Sequence, residues 1–79
     1  MFTVIDKTTG KAPDLAGIVL AAQKAKEPWA EGLIYCDMEG FAVEEDGTLI
    51  VCDECGNYAY PPAGRFEIRW DSYAVVSVR

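Results

Sequence analysis

The stretch Leu33-Ile34-Tyr35-Cys36-Asp37-Met38-Glu39-Gly40-Phe41-Ala42-Val43 returns 16 positions later as Leu49-Ile50-Val51-Cys52-Asp53-Glu54-Cys55-Gly56-Asn57-Tyr58-Ala59. Leu, Ile, Cys, Asp and Gly coincide between the two copies. Each unit reads as an apolar strand, a Cys-Asp-x-x-Gly corner and a returning strand. Glycine suits the corner because the chain turns there at positive φ, which a residue without Cβ adopts at little cost. Between the units, Glu45-Asp46-Gly47 reads as a hairpin turn. Strands are therefore expected at Leu33–Cys36, Phe41–Val43 and Thr48–Val51, with both corners at one end of a three-strand meander.

Outward from the repeat the same grammar continues. Asn57–Tyr60 predicts a further strand, cut short by Pro61-Pro62. Phe66-Glu67-Ile68-Arg69-Trp70 alternates as a half-buried strand does. Tyr73–Val78 predicts a last strand after an Asp71-Ser72 turn. On the N-terminal side, Phe2–Ile5 is short and β-prone, and Asp6-Lys7-Thr8-Thr9-Gly10-Lys11 is turn chemistry. Pro13-Asp14 suits a helix start. Leu15, Ile18, Val19 and Ala22 then recur at helical spacing, and Lys24 and Lys26 suit the negative end of the helix dipole. Pro28 ends that helix or forces a new turn, Pro28–Gly32 reads as one further short turn, and Trp29 is expected to anchor the helix end on the sheet. The expected fold is α+β: one N-terminal helix packed on an antiparallel β-meander that carries a zinc-ribbon-like pair of corners. At 79 residues the chain is one domain, with 1–32 supplying strand and helix and 33–79 the meander.

The corners pose a chemical question. The chain has three cysteines and no histidine. If Cys52-Asp53-Glu54-Cys55-Gly56 is a zinc knuckle, Cys36-Asp37-Met38-Glu39-Gly40 is its degenerate copy, and Glu39 stands where the second copy has Cys55. Cys36, Glu39, Cys52 and Cys55 then have zinc-ribbon spacing with one thiolate replaced by a carboxylate, a donor set that zinc accepts. Asp37, Asp53 or water are alternates for the fourth ligand. The competing readings are buried strand-end cysteines and a Cys52–Cys55 redox pair. An odd cysteine count and an N-terminus without a basic start and long apolar run point to a reducing cytosol.

The net charge is −6, and no Lys or Arg occurs between Lys26 and Arg65. That interval holds Glu27, Glu31, Asp37, Glu39, Glu44, Glu45, Asp46, Asp53 and Glu54. Direct nucleic-acid binding is disfavoured, because affinity for phosphates comes mostly from Lys and Arg. A basic partner is favoured instead, with Glu39, Glu44, Glu45, Asp46, Asp53 and Glu54 as its contact residues. No run is long and apolar enough to suggest a membrane span. Catalysis has no histidine base and no activated nucleophile to draw on, so an enzyme is not expected. Tyr35, Phe41, Tyr58, Tyr60, Phe66, Trp70 and Tyr73 read as core and cross-strand packing or as a recognition surface.

Trp29-Ala30-Glu31-Gly32, Tyr35–Phe41, Glu45–Leu49 and Asp53–Asn57 together resemble a group of small acidic proteins encoded by phages and prophages. The likeness covers roughly residues 29 to 68. In that group the position of Cys52 is more often apolar and a cysteine often stands near Pro61, which makes Cys36 and Cys55 the shared pair. By size and charge, the resemblance implies a phage accessory protein such as an anti-CRISPR that inhibits a Cas effector, for instance Cas9. The rival expectation is a structural or assembly module of phage origin that acts by oligomerising, with a purely structural metal.

Overall fold

The computed structural model describes residues 2–70, so the expected strand Tyr73–Val78 lies outside the described residues. The order is β1 (Phe2–Asp6), α1 (Leu15–Lys24), a 3-10 turn (Pro28–Ala30), a second 3-10 turn (Tyr35–Asp37), β2 (Met38–Val43), β3 (Leu49–Asp53), β4 (Tyr58–Ala59) and β5 (Phe66–Trp70). The class is α+β with antiparallel sheets.

α1 starts and stops for local reasons. Asp14 caps it, its carboxylate accepting the Gly17 amide at 3.3 Å. At the other end Lys26 takes φ 57°. Its amide donates to the Gln23 carbonyl at 3.0 Å, and the Glu27 amide to the Ala22 carbonyl at 2.9 Å. This is the Schellman arrangement, with lysine at the left-handed position that glycine usually holds. The buried face of α1, Val19 and Ala22, packs with Ala30, Leu33 and Val51. Trp29 packs at the margin of that cluster, as expected of a helix-end anchor. Val51 sits between Phe41 of β2 and Ala59 of β4 in register, so one face of β3 and its neighbours closes the core.

Two expectations need correction. Leu33–Cys36 is not a strand. Leu33 drops into the core under α1, and its carbonyl accepts the Gln23 side-chain amide at 2.6 Å. The Ile34 amide donates to the Asp53 carboxylate at 3.0 Å. With those backbone groups satisfied by side chains, no ladder partner is required, and the chain curls into the 3-10 turn. Nor do the described residues from 33 to 70 form one meander. β2, β3 and β4 make a three-stranded sheet, whereas β5 pairs with β1, from Phe2 opposite Trp70 to Asp6 opposite Phe66. Arg65 fixes that pairing: its guanidinium donates twice to the buried Asp6 carboxylate, at 3.1 and 3.3 Å. The two sheets meet where Phe41 and Phe66 pack edge to face, 5.1 Å apart.

Candidate functional site

The two corners do lie at the same end of the three-stranded sheet, because β2 starts where β3 ends. Met38 faces Asp53, and a bulge at Glu39 shifts the register so that Gly40 faces Cys52. The corners also bond to one another, the Glu54 amide donating to the Asp37 carbonyl at 2.7 Å. Cys36 and Cys55 are the next residues outward on either side of that bond. Gly56 holds the positive φ that the corner reading requires, at 90°, whereas Gly40, at φ 150°, lies within β2 beside the bulge and does not turn the chain.

The hub of the junction is Asp53. One carboxylate oxygen accepts the Cys55 amide at 3.0 Å and the Asn57 amide at 2.8 Å. The other accepts the Asn57 side-chain amide at 2.9 Å and the Ile34 amide at 3.0 Å. Burial alone would raise this carboxyl, but the hydrogen bonds from Asn57, Ile34 and Cys55 outweigh it and hold it below the ordinary range. A buried carboxylate thus closes the second corner and ties it to the first. Asp37, its counterpart in the repeat, is exposed and takes part in the junction through its backbone. The equivalence of the two aspartates in sequence does not extend to structure.

The thiols stand apart in character. Cys36 and Cys55 are exposed and Cys52 is half-buried. Burial, with the Glu39 and Asp53 carboxylates adding to it, pushes the Cys52 thiol up. Glu39 therefore lies within electrostatic reach of Cys52, but among the described residues no three Cys, Asp or Glu side chains gather as a metal set.

The acidic residues divide in two. Glu44, Glu45 and Asp46 surround the β2–β3 turn, and Asp37, Glu39 and Glu54 surround the corners. β3 is five residues long, which separates the groups by about 17 Å. All are exposed except Glu44, which is half-buried and accepts the Tyr60 hydroxyl at 3.0 Å. That bond raises the Tyr60 phenol, and bonds from Thr48 hold the Asp46 carboxyl low. Asp53 does not belong to this surface, because it is 1% exposed. The two ion pairs among the described residues, Arg65–Asp6 and Arg69–Glu67, both lie on the β1–β5 side.

Of the aromatic residues, Phe41 and Phe66 pack inside, while Tyr35, Tyr58, Tyr60 and Trp70 are exposed. Tyr73 lies outside the described residues. Sequence reasoning missed Gln23, whose amide holds the Ala30 and Leu33 carbonyls, and the closing role of Asp53. Asn at Asp53 plus four is a signal for the latter, since an aspartate that caps its own turn needs donors there. Among the described residues no helix is long and apolar enough to cross a membrane. No protein-family model, curated protein or solved structure matches the chain.

Proposed function

We propose that this chain is a small phage-encoded inhibitor that binds a basic surface of a host nucleic-acid enzyme. Its most concrete form is an anti-CRISPR that blocks DNA or RNA access to a Cas effector such as Cas9 in the bacterial cytoplasm. One observation carries the reading. The three-stranded sheet presents exposed carboxylates at both ends, while both ion pairs among the described residues belong to the other sheet. Uncompensated carboxylates of this kind attract a cationic surface and compete with phosphates for it. Purified protein added to a Cas9 cleavage reaction tests the reading. Inhibition that is relieved by raising the DNA concentration supports it, and undiminished cleavage at saturating protein rejects it.

A structural zinc ion on Cys36, Glu39, Cys52 and Cys55 is a separate proposal. In its favour, the corners that carry these residues are hydrogen-bonded to each other. Against it stands the absence of a gathered donor set among the described residues, so the ion would have to draw the side chains together. Native and denaturing mass measurement with elemental analysis decides the matter. One zinc per chain, lost on denaturation, supports the ion, and a folded metal-free protein removes it.

A second reading, an assembly module, draws on the exposed Tyr58 and Tyr60, whose rings stack edge to face 6.0 Å apart near the β4 edge. Light scattering separates the two readings, because assembly requires a concentration-dependent oligomer and inhibition does not.

A further inference from the structure

The β2–β3 turn carries Glu44, Glu45 and Asp46, and β4 brings two tyrosines to it. Tyr58 lies in β4 opposite Cys52 of β3, and Tyr60 follows just past the strand. The Tyr60 hydroxyl spans the end of β3 and donates to the Glu44 carboxylate at 3.0 Å, so ring and acid are held together. Tyr58 packs edge to face on Tyr60, and Tyr58 and Asp46 both stand close enough to add to the rise of the Tyr60 phenol. The two rings are nonetheless 60% and 49% exposed. Among the described residues no ion pair engages these three acids. At the corner end, no ring pair among the described residues accompanies Asp37, Glu39 and Glu54.

Rings beside carboxylates select a cation with a flat face. An ammonium is a compact, strongly hydrated point charge, whereas a guanidinium is planar and weakly hydrated, stacks on an aromatic face and forks onto a carboxylate. Tyrosine is also prominent among the residues that dominate binding at protein interfaces. Nucleic-acid bases stack on tyrosine as well, but their phosphates would meet three acids. A second copy of the chain, at net charge −6, would bring like charge to the same place.

We infer that Tyr58 and Tyr60, with Glu44, Glu45 and Asp46, form the contact surface for an arginine side chain of the partner protein, its guanidinium stacked on a ring and forked onto a carboxylate. This rests on the reading of the protein as a binder of basic proteins. It adds which end of the sheet makes the contact and which basic residue it takes.

The test is amide NMR on the isotope-labelled full-length protein, titrated with an end-capped hexapeptide of alternating arginine and glycine. The same peptide with lysine in place of arginine is the comparison. Saturable shifts are expected at the amides of Glu44–Thr48 and Tyr58–Tyr60, with the arginine peptide bound about three- to fivefold more tightly than the lysine one. Tyr58→Leu narrows that preference, and Tyr58→Phe, which keeps a ring, preserves it. The parent protein's own preference needs no variant, and retained spectral dispersion shows that the variants are folded. Equal affinity for the two peptides, or an unchanged preference in Tyr58→Leu, overturns the ring contact and leaves the charge-based inhibitor reading intact. Shifts confined to Asp37–Gly40 and Glu54, or no saturable binding, overturn the surface. So does a concentration-dependent oligomer that Tyr58→Leu abolishes, which would give the tyrosines to assembly. The inhibitor reading is decided separately by the Cas9 assay.

Discussion

The Asp53 carboxylate accepts the Ile34 amide at 3.0 Å across 19 positions of chain. A side chain in one copy of the repeat thereby satisfies the backbone of the other. The repeat is asymmetric in consequence, since the equivalent Asp37 is exposed. Asp53→Asn replaces one acceptor oxygen by a donor that faces other donors, and leaves buried amides unpaired. Its urea midpoint is expected to fall markedly, whereas Asp37→Asn leaves the midpoint near the parent value. Equal effects of the two substitutions would refute the asymmetry.

The same carboxylate sets an acid limit. The folded Asp53 and Asp6 carboxyls both titrate below the ordinary value of 3.8. For Asp53 the hydrogen bonds outweigh burial, and for Asp6 the Arg65 guanidinium is the main cause. A depressed carboxyl contributes stability that is fully present above the unfolded pKa and lost as pH falls through the folded one. Thermal midpoints should hold level above about pH 5 and drop below about pH 4. The Asp53→Asn and Asp6→Asn variants should each drop less steeply there than the parent does. A parental slope in both variants would count against the assignment.

Lys26 occupies a left-handed position at φ 57° just past α1. L-residues with a Cβ are disfavoured there, and glycine is not. Lys26→Gly is expected to stabilise the protein by about 1 kcal/mol, read as a raised urea midpoint with unchanged slope. A destabilised variant would show that the lysine side chain contributes more than its backbone costs.

Gly17 and Asp14 are coupled. A Cβ at Gly17 would stand 2.5 Å from the capping carboxylate of Asp14. Helix propensity favours Gly17→Ala by about 1 kcal/mol, and losing the cap costs about 1 kcal/mol. The substitution should be close to neutral in the parent protein and stabilising in an Asp14→Ala background. Additive effects in the double-mutant cycle would contradict the contact.

Val51 is fully buried between Phe41 and Ala59 and beneath α1. Val51→Ala removes two methyl groups' worth of apolar surface and leaves a cavity, at a cost of about 2 kcal/mol. In a domain of this size that lowers the thermal midpoint by roughly 10 °C. A shift within error would mean that the core centres elsewhere.

What the sequence made legible follows the range of the interactions. α1, β3 and β5 were readable because a stripe or an alternation is carried within a few residues. The paired corners were readable because the repeat sets their spacing. The pairing of β1 with β5 was not, since Asp6 and Arg65 meet only after 59 positions and nothing local marks them as partners. Leu33–Cys36 misled because a short apolar run has no period to separate strand from buried turn. What decides it is Gln23 and Asp53, both remote. The acidic run looked like one contact surface, but β3 carries its two parts to opposite ends and buries Asp53.

The most direct test of the proposed function is the affinity of the full-length protein for Cas9 across a salt series, from ~0.05 M to ~0.5 M. The account predicts tight binding at low salt that weakens steeply across the series, and weaker binding when Glu45→Gln and Asp46→Asn are combined. Binding that ignores both salt and these substitutions, or no binding at low salt, would contradict it.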